Sequence, residues 1–169
     1  IVEDAAEAIG SYYNNKHLGT FGEMGVISFN GNKTITTGGG GAILSNKKKI
    51  TKKIRSLIDL SKKVHPWKFD YLNVGFNMKM PGLNAALGCA QMKRAESIVA
   101  ERQRLAGVYD SAFAGLDWLV TPARPNGYEH GYQSYPCLFQ PECVDSGSII
   151  RINELRNLWM DKLQKQGVS

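Results

Sequence analysis

Lys33 is the residue whose type and setting most directly suggest chemistry. It lies on the polar stretch Asn30-Gly31-Asn32-Lys33-Thr34, between the strand-like segments Val26-Ile27-Ser28-Phe29 and Ala42-Ile43-Leu44, the latter preceded by four consecutive glycines, Gly38 to Gly41. Lysines usually stay on solvated faces. One delivered from a buried strand into a glycine-rich turn is an amine placed to condense with a carbonyl. Asp4 closes a second short apolar segment, Ile1-Val2-Glu3-Asp4, and is expected at a strand's carboxyl end, the edge where α/β sheets bind ligands. An acid facing the ring nitrogen of a heteroaromatic aldehyde keeps that nitrogen protonated, so that the ring draws electrons from the reacting carbon. A lysine and an aspartate on successive strand ends therefore predict a site for an aldehyde cofactor.

Four motifs in order extend this reading: Glu3-Asp4-Ala5-Ala6-Glu7-Ala8, then Ser28-Phe29-Asn30-Gly31-Asn32-Lys33-Thr34-Ile35-Thr36-Thr37-Gly38, then Gly75-Phe76-Asn77-Met78-Lys79-Met80, then Leu83-Asn84-Ala85-Ala86-Leu87-Gly88. With them the chain resembles the DegT/StrS family of pyridoxal-phosphate-dependent sugar aminotransferases along nearly its whole length. The resemblance implies an α/β chain of PLP-dependent transferase fold type I (aspartate aminotransferase-like), with pyridoxal 5'-phosphate as cofactor. It implies that Lys33 bonds covalently to the cofactor aldehyde and moves protons, that Asp4 pairs with the pyridine nitrogen, and that Ser28 binds the phosphate. Asn77 would reach the phosphate of a neighbouring subunit in a homodimer, and Glu7 would lie near the ring. Glu7 departs from the family, which more often carries glutamine or histidine there, and a carboxylate changes the charge around the ring. Gly39 and Met78-Lys79 depart as well, where relatives more often carry an acid and tyrosine-arginine. Relatives with histidine in place of the lysine perform dehydration, so Lys33 favours amino transfer.

The implied reaction moves an amino group from an amino-acid donor, glutamate, to a nucleotide-linked keto-sugar in amino-sugar or cell-surface polysaccharide biosynthesis. Two alternatives stay open: a non-catalytic binding or regulatory protein of the same fold, and a PLP-dependent sugar dehydratase.

Each residue also has a plainer reading. Lys33 precedes the glycines, so the phosphate-loop pattern is not satisfied. Asp4 followed by Glu7 three residues later is also a helix capping box. Ser28 also fits a small buried hydroxyl bonded to main chain, and Asn77 a turn residue. Cys89, Cys137 and Cys143 are not spaced as metal ligands, and His17, His65 and His130 are scattered without partners in sequence.

The elements that must position these groups follow from periodicity. Tyr12-Tyr13 with the turn residues Asn14-Asn15-Lys16 is expected to form a hairpin-like excursion, and a helix is expected over residues 47–60, followed by a long loop through Pro66, Asp70 and Gly75. A helix over residues 83–114 would bridge two domains, with Gly88 and Gly107 marking close packing or a bend. A strand over residues 134–139 carries Pro136 at an edge, and a last helix covers residues 152–166. The family comparison assigns residues 1–105 to the C-terminal part of a large cofactor-binding domain with its bridging helix. Residues 106–169 become the first part of a small α+β domain, and the chain a middle segment of a longer protein.

A length of 169 residues with 43% hydrophobic composition suffices for a buried core. The net charge of +6 concentrates in the run from Lys47 to Arg55, where Ile50, Ile54, Leu57 and Ile58 recur at helical spacing, so it reads as the solvated face of an amphipathic helix. No aromatic residue interleaves with that run, which argues against nucleic-acid binding. No apolar stretch approaches membrane-spanning length. Three irregularly spaced cysteines favour a reducing compartment, the cytoplasm.

Overall fold

A computed structural model describes residues 1–63, 65, 70–140 and 149–168. Pro66 and Cys143, named above, lie outside the described residues. In chain order the elements are β1 (Val2–Asp4), β2 (Tyr12–Tyr13), β3 (Lys16–His17), β4 (Met24–Ser28), β5 (Gly41–Leu44), α1 (Lys48–Ile58), β6 (Lys62–Lys63), β7 (Asp70–Tyr71), α2 (Gly82–Met92), α3 (Ala95–Phe113), β8 (Leu119–Val120), β9 (Tyr128–Glu129), β10 (Leu138–Phe139) and α4 (Ile149–Lys165). They form two units. The first is Ile1–Gln103 with Arg124–Gln133, the second Arg104–Ala123 with Ser134–Ser169.

In the first unit β4 lies between β1, to which it is parallel, and β5, to which it is antiparallel. Alternation along β4 decides what each face does. Ile27 is buried with Ala5 and Ala8, and Phe29, Ala42 and Leu44 pack around them. Val26 and Ile43, of opposite parity, are exposed. Parallel pairing puts the carboxyl ends of β1 and β4 at the same edge, with Asp4 level with Val26 and Ser28 two residues further on.

Residues 5–23 join these parallel strands without a helix. They turn twice, through Ala8 N–H to Ala5 O and Ser11 N–H to Ala8 O, and then form the β2–β3 hairpin. Asn14 and Asn15 occupy its tip at φ 46° and 61°, the left-handed conformation asparagine tolerates and a two-residue hairpin needs. The return to β4 is tied to β1 by Glu3, whose carboxylate accepts from Gly19 N–H at 2.7 Å and Gly22 N–H at 2.5 Å. The Gly22 bond is the largest cause that holds the Glu3 carboxyl below its ordinary range; burial, next in size, opposes it, and the Gly19 and Phe21 bonds and the Lys16 charge add to the lowering. A lowered folded-state value stabilises the fold above the ordinary carboxylate range and ceases to do so as pH falls through the lowered value. Glu3→Gln is therefore expected to lower stability at neutral pH and to flatten its dependence on acid, as read from unfolding midpoints between pH 7 and 3.

α1 matches the amphipathic expectation: Ile50, Ile54, Leu57 and Ile58 are half-buried, while Lys52, Lys53 and Arg55 are exposed. The single helix expected over residues 83–114 is two. α2 tightens at its end, where Arg94 N–H bonds Gln91 O, and α3 restarts with Ile98 N–H on Arg94 O. Gly88 is a close approach: a Cβ there would lie 2.9 Å from Thr37 Cγ2. Gly107 has open space around it, so close packing does not explain it.

In the second unit β8 and β10 pair antiparallel. The strand expected over residues 134–139 shrinks to Leu138–Phe139, consistent with Pro136 having no N–H to give a ladder. Trp118 packs on Phe139 and Trp159, each with centroids 5.7 Å away. Tyr135 donates to Asp110, and burial together with that carboxylate pushes its phenol up to about 12. No helix among the described residues is long and apolar enough to cross a membrane.

Candidate active site

The carboxyl edge of β1 and β4 is where the candidate groups meet. Beyond β4 the chain leaves the sheet as a loop whose neck closes on Phe29. Its N–H bonds Gly40 O at 2.9 Å, and its carbonyl accepts from Thr37 N–H at 3.0 Å and Thr36 Oγ1 at 3.3 Å. Ile35 is fully buried and Thr34 and Thr37 nearly so, which anchors the loop from inside. Asn84, from the fourth motif, donates its amide to Thr37 O at 2.6 Å. Lys33 is carried on this base with its side chain 13% exposed, and its Nζ lies 2.6 Å from Glu7 Oε1.

That contact decides between the readings of the first motif. Residues 5–10 form turns, not a helix, so the capping box does not form. Glu7 reaches across to the lysine instead of back to the Asp4 N–H, and Asp4 Oδ1 accepts from Ala6 N–H at 3.2 Å in a local turn. Exposed Asp4 keeps its remaining acceptor capacity toward solvent at the strand end. Ser28 Oγ accepts from Asn30 N–H at 3.3 Å, which leaves its O–H proton to donate. Asn77 bridges by main chain to Asp59 on the segment bonded to the end of α1, and its side chain is exposed. The structure thus gathers Asp4, Glu7, Ser28 and Lys33 at the end of one strand pair, and Asn77 is held on a different segment.

Two residues that sequence reasoning missed support the lysine loop. Gln133 Oε1 accepts from Thr34 N–H at 2.6 Å and Thr34 Oγ1 at 2.8 Å, while its Nε2 donates to Asn32 O at 2.7 Å. Arg102 Nη1 in turn donates to the carbonyls of Tyr132 and Gln133 at 2.9 and 3.1 Å. No local pattern marks either residue. A separate cavity of about 740 Å³, lined largely by apolar groups including Ile27, Phe29, Leu44 and Val99, touches none of Asp4, Glu7, Ser28 and Lys33.

The donor set at the edge is an amine, a strand-end carboxylate and a hydroxyl with a proton to give. It fits an aldehyde with a ring nitrogen and a phosphate, group for group. A mixed three-stranded sheet thus delivers a lysine from the loop after its central strand.

The chain belongs to the DegT/DnrJ/EryC1/StrS aminotransferase family, which it matches over residues 1–157. It is 39% identical to GDP-perosamine synthase of Vibrio cholerae over 132 residues, covering 78% of this chain and 35% of that protein. To the UDP-4-amino-4,6-dideoxy-N-acetyl-beta-L-altrosamine transaminase of Campylobacter jejuni it is 30% identical over 143 residues, covering 84% and 38%. Among solved structures it superposes on PseC of Helicobacter pylori, an aminotransferase of pseudoaminic acid biosynthesis, with a TM-score of 0.86 at 25% identity, over 98% of this chain and 43% of that one. Spr1654 of Streptococcus pneumoniae in its PMP form gives 0.87 at 26% identity, over 100% and 42%. The fold is that of PLP-dependent transferase fold type I, of which this chain holds part, and the chain spans less than half the length of the relatives it matches.

Proposed function

We propose that the whole protein is a PLP-dependent aminotransferase that moves an amino group from glutamate to the keto carbon of a nucleotide-linked sugar, in amino-sugar or cell-surface polysaccharide biosynthesis. The observation that carries this is the Lys33 amine, mostly withdrawn from solvent and held 2.6 Å from Glu7 at the edge that also bears Asp4 and Ser28. Bound pyridoxal phosphate supplies an electron-withdrawing ring. The protein's residues do the rest. Lys33 would hold the cofactor at its aldehyde end and supply the acid and base at the substrate carbon. Asp4 would pair with the ring nitrogen and keep it protonated. Ser28 would donate its proton to the phosphate. Glu7, whose carboxylate lies 2.6 Å from the Lys33 amine, would stand near the ring.

The assembly we propose is a cytoplasmic homodimer in which Asn77 reaches the partner's cofactor phosphate, which accords with its exposed side chain and its place on a different segment from Lys33. Residues 1–105 act as the C-terminal part of the cofactor domain and 106–169 as the start of the small domain.

The test is a balanced transfer. The intact protein with pyridoxal phosphate, glutamate and a nucleotide-linked keto-sugar is expected to release 2-oxoglutarate and aminated sugar in equal amounts, measured by mass spectrometry. Cofactor retained without either product favours a binding protein, and loss of sugar hydroxyl without amine gain favours a dehydratase.

A further inference from the structure

We infer that Gln133 is a positioning residue for Lys33, acting as an amide clamp on both sides of it; this rests on the assignment of Lys33 as the reactive amine. The stretch that carries Lys33 is poor in self-support. Asn30, Gly31 and Asn32 precede it, four glycines follow a few residues on, and among the described residues its own hydrogen bonds are short-range, Lys33 N–H to Asn30 O and Asn30 N–H to Ser28 Oγ. One planar group supplies what the loop lacks. The acceptor end of the Gln133 amide takes both donors of Thr34, and its donor end gives to Asn32 O, so residues 32 and 34 are fixed to the same rigid plane with Lys33 between them. Displacing the lysine along the loop breaks those three bonds together.

The clamp is itself held in place. Tyr132 stands at φ 50° and is 6% exposed, a left-handed conformation that a bulky residue keeps only where its surroundings enforce it. Here Arg102 from α3 binds both its carbonyl and that of Gln133. Tyr132 N–H donates to His130 Nδ1 at 2.8 Å, and the two rings stack at 4.3 Å. This turn aims Gln133 at the loop. A partner needed only to satisfy the Thr34 hydrogen bonds would not have to span both neighbours of the lysine.

The test uses the intact protein as wild type, Gln133→Ala and Gln133→Glu. The glutamate keeps the two acceptor bonds to Thr34 and loses the donor to Asn32. Three readouts are taken: amide exchange at residues 32–35 against the β4–β5 ladder, the rate at which borohydride fixes pyridoxal phosphate on the Lys33 peptide, and kcat against KM for the keto-sugar. In Gln133→Ala, exchange at residue 34 is expected to rise about tenfold, as befits the loss of a hydrogen bond, with the β4–β5 amides unchanged. Fixation and kcat are expected to fall about 10- to 100-fold, the scale of an ångström's misplacement, with KM held. Gln133→Glu should fall between. Wild-type fixation and kcat in Gln133→Ala overturn the clamp, and so does exchange that rises equally in the loop and the β4–β5 ladder, because that marks general loosening. Should wild type itself never fix cofactor on Lys33 although exchange at residue 34 responds, the assignment of the lysine fails, and the proposal fails with it.

Discussion

Replacing Lys33 with alanine is expected to abolish covalent capture of pyridoxal phosphate and to reduce amino transfer by at least about 10²- to 10⁴-fold, the range one positioned acid-base group contributes. The fold should survive. The lysine's side-chain partner is Glu7, a carboxylate 57% exposed, and pairs of that kind contribute at most about 1 kcal/mol. Lys33→Arg separates charge from nucleophile, since a guanidinium keeps a cation opposite Glu7 but cannot bond an aldehyde under these conditions. The two variants should therefore be equally inactive and unfold close to wild type. Borohydride reduction followed by peptide mass spectrometry reads the covalent link, and turnover with glutamate reads the transfer. Near-normal activity in either variant removes Lys33 from the reaction.

The second large effect is structural. Gly25 sits in the middle of β4, paired with Glu3 on one side and Leu44 on the other. A Cβ there would lie 2.0 Å from Gly19 O and 2.5 Å from Gly19 Cα, so the obstacle is backbone and not a side chain that can swing aside. Gly19 cannot retreat easily: its φ is +90°, its N–H is bound to Glu3, and its own α-carbon already faces Ala5. Gly25→Ala is expected to destabilise by about 3 kcal/mol or more, the upper end of overpacking costs. For a domain of this size that is a fall of about 6–12 °C in Tm. Gly31→Ala is the control, because no heavy atom lies within 4 Å of its would-be Cβ, and its Tm should stay close to wild type. Thermal unfolding followed by circular dichroism checks both. Since Gly25 holds β1 in parallel register with β4, the same substitution should weaken cofactor binding by spreading Asp4 from Ser28.

What was legible in the sequence were the features that local chemistry determines. The β-branched and aromatic run Val26-Ile27-Ser28-Phe29 marked β4 as a strand though not the exposure of Val26, Asn14-Asn15 lay in the turn read there, and the apolar spacing of Ile50, Ile54 and Leu57 marked α1. Where two local readings competed, distance decided. Asp4 and Glu7 have capping-box spacing, but Lys33, 26 residues away, draws Glu7 out of it, and no window around the first motif contains that information. The break between α2 and α3 is equally quiet, because Lys93 and Arg94 are ordinary helix formers and the ladder tightens there without a glycine or proline. Gln133 is the furthest from view. Its neighbours Tyr132 and Ser134 form no motif with it, and its partners stand near the other end of the chain.

That separation sets a schedule for the newly made protein. Gln133 comes 99 positions after Thr34, and a ribosome adding about 5–20 residues per second needs roughly 5–20 s to cover them. Throughout that interval the lysine is already in the chain and the side chain that braces its neighbours is not. A polypeptide truncated before residue 133 therefore carries Lys33 without the side chain that bonds to both of its neighbours.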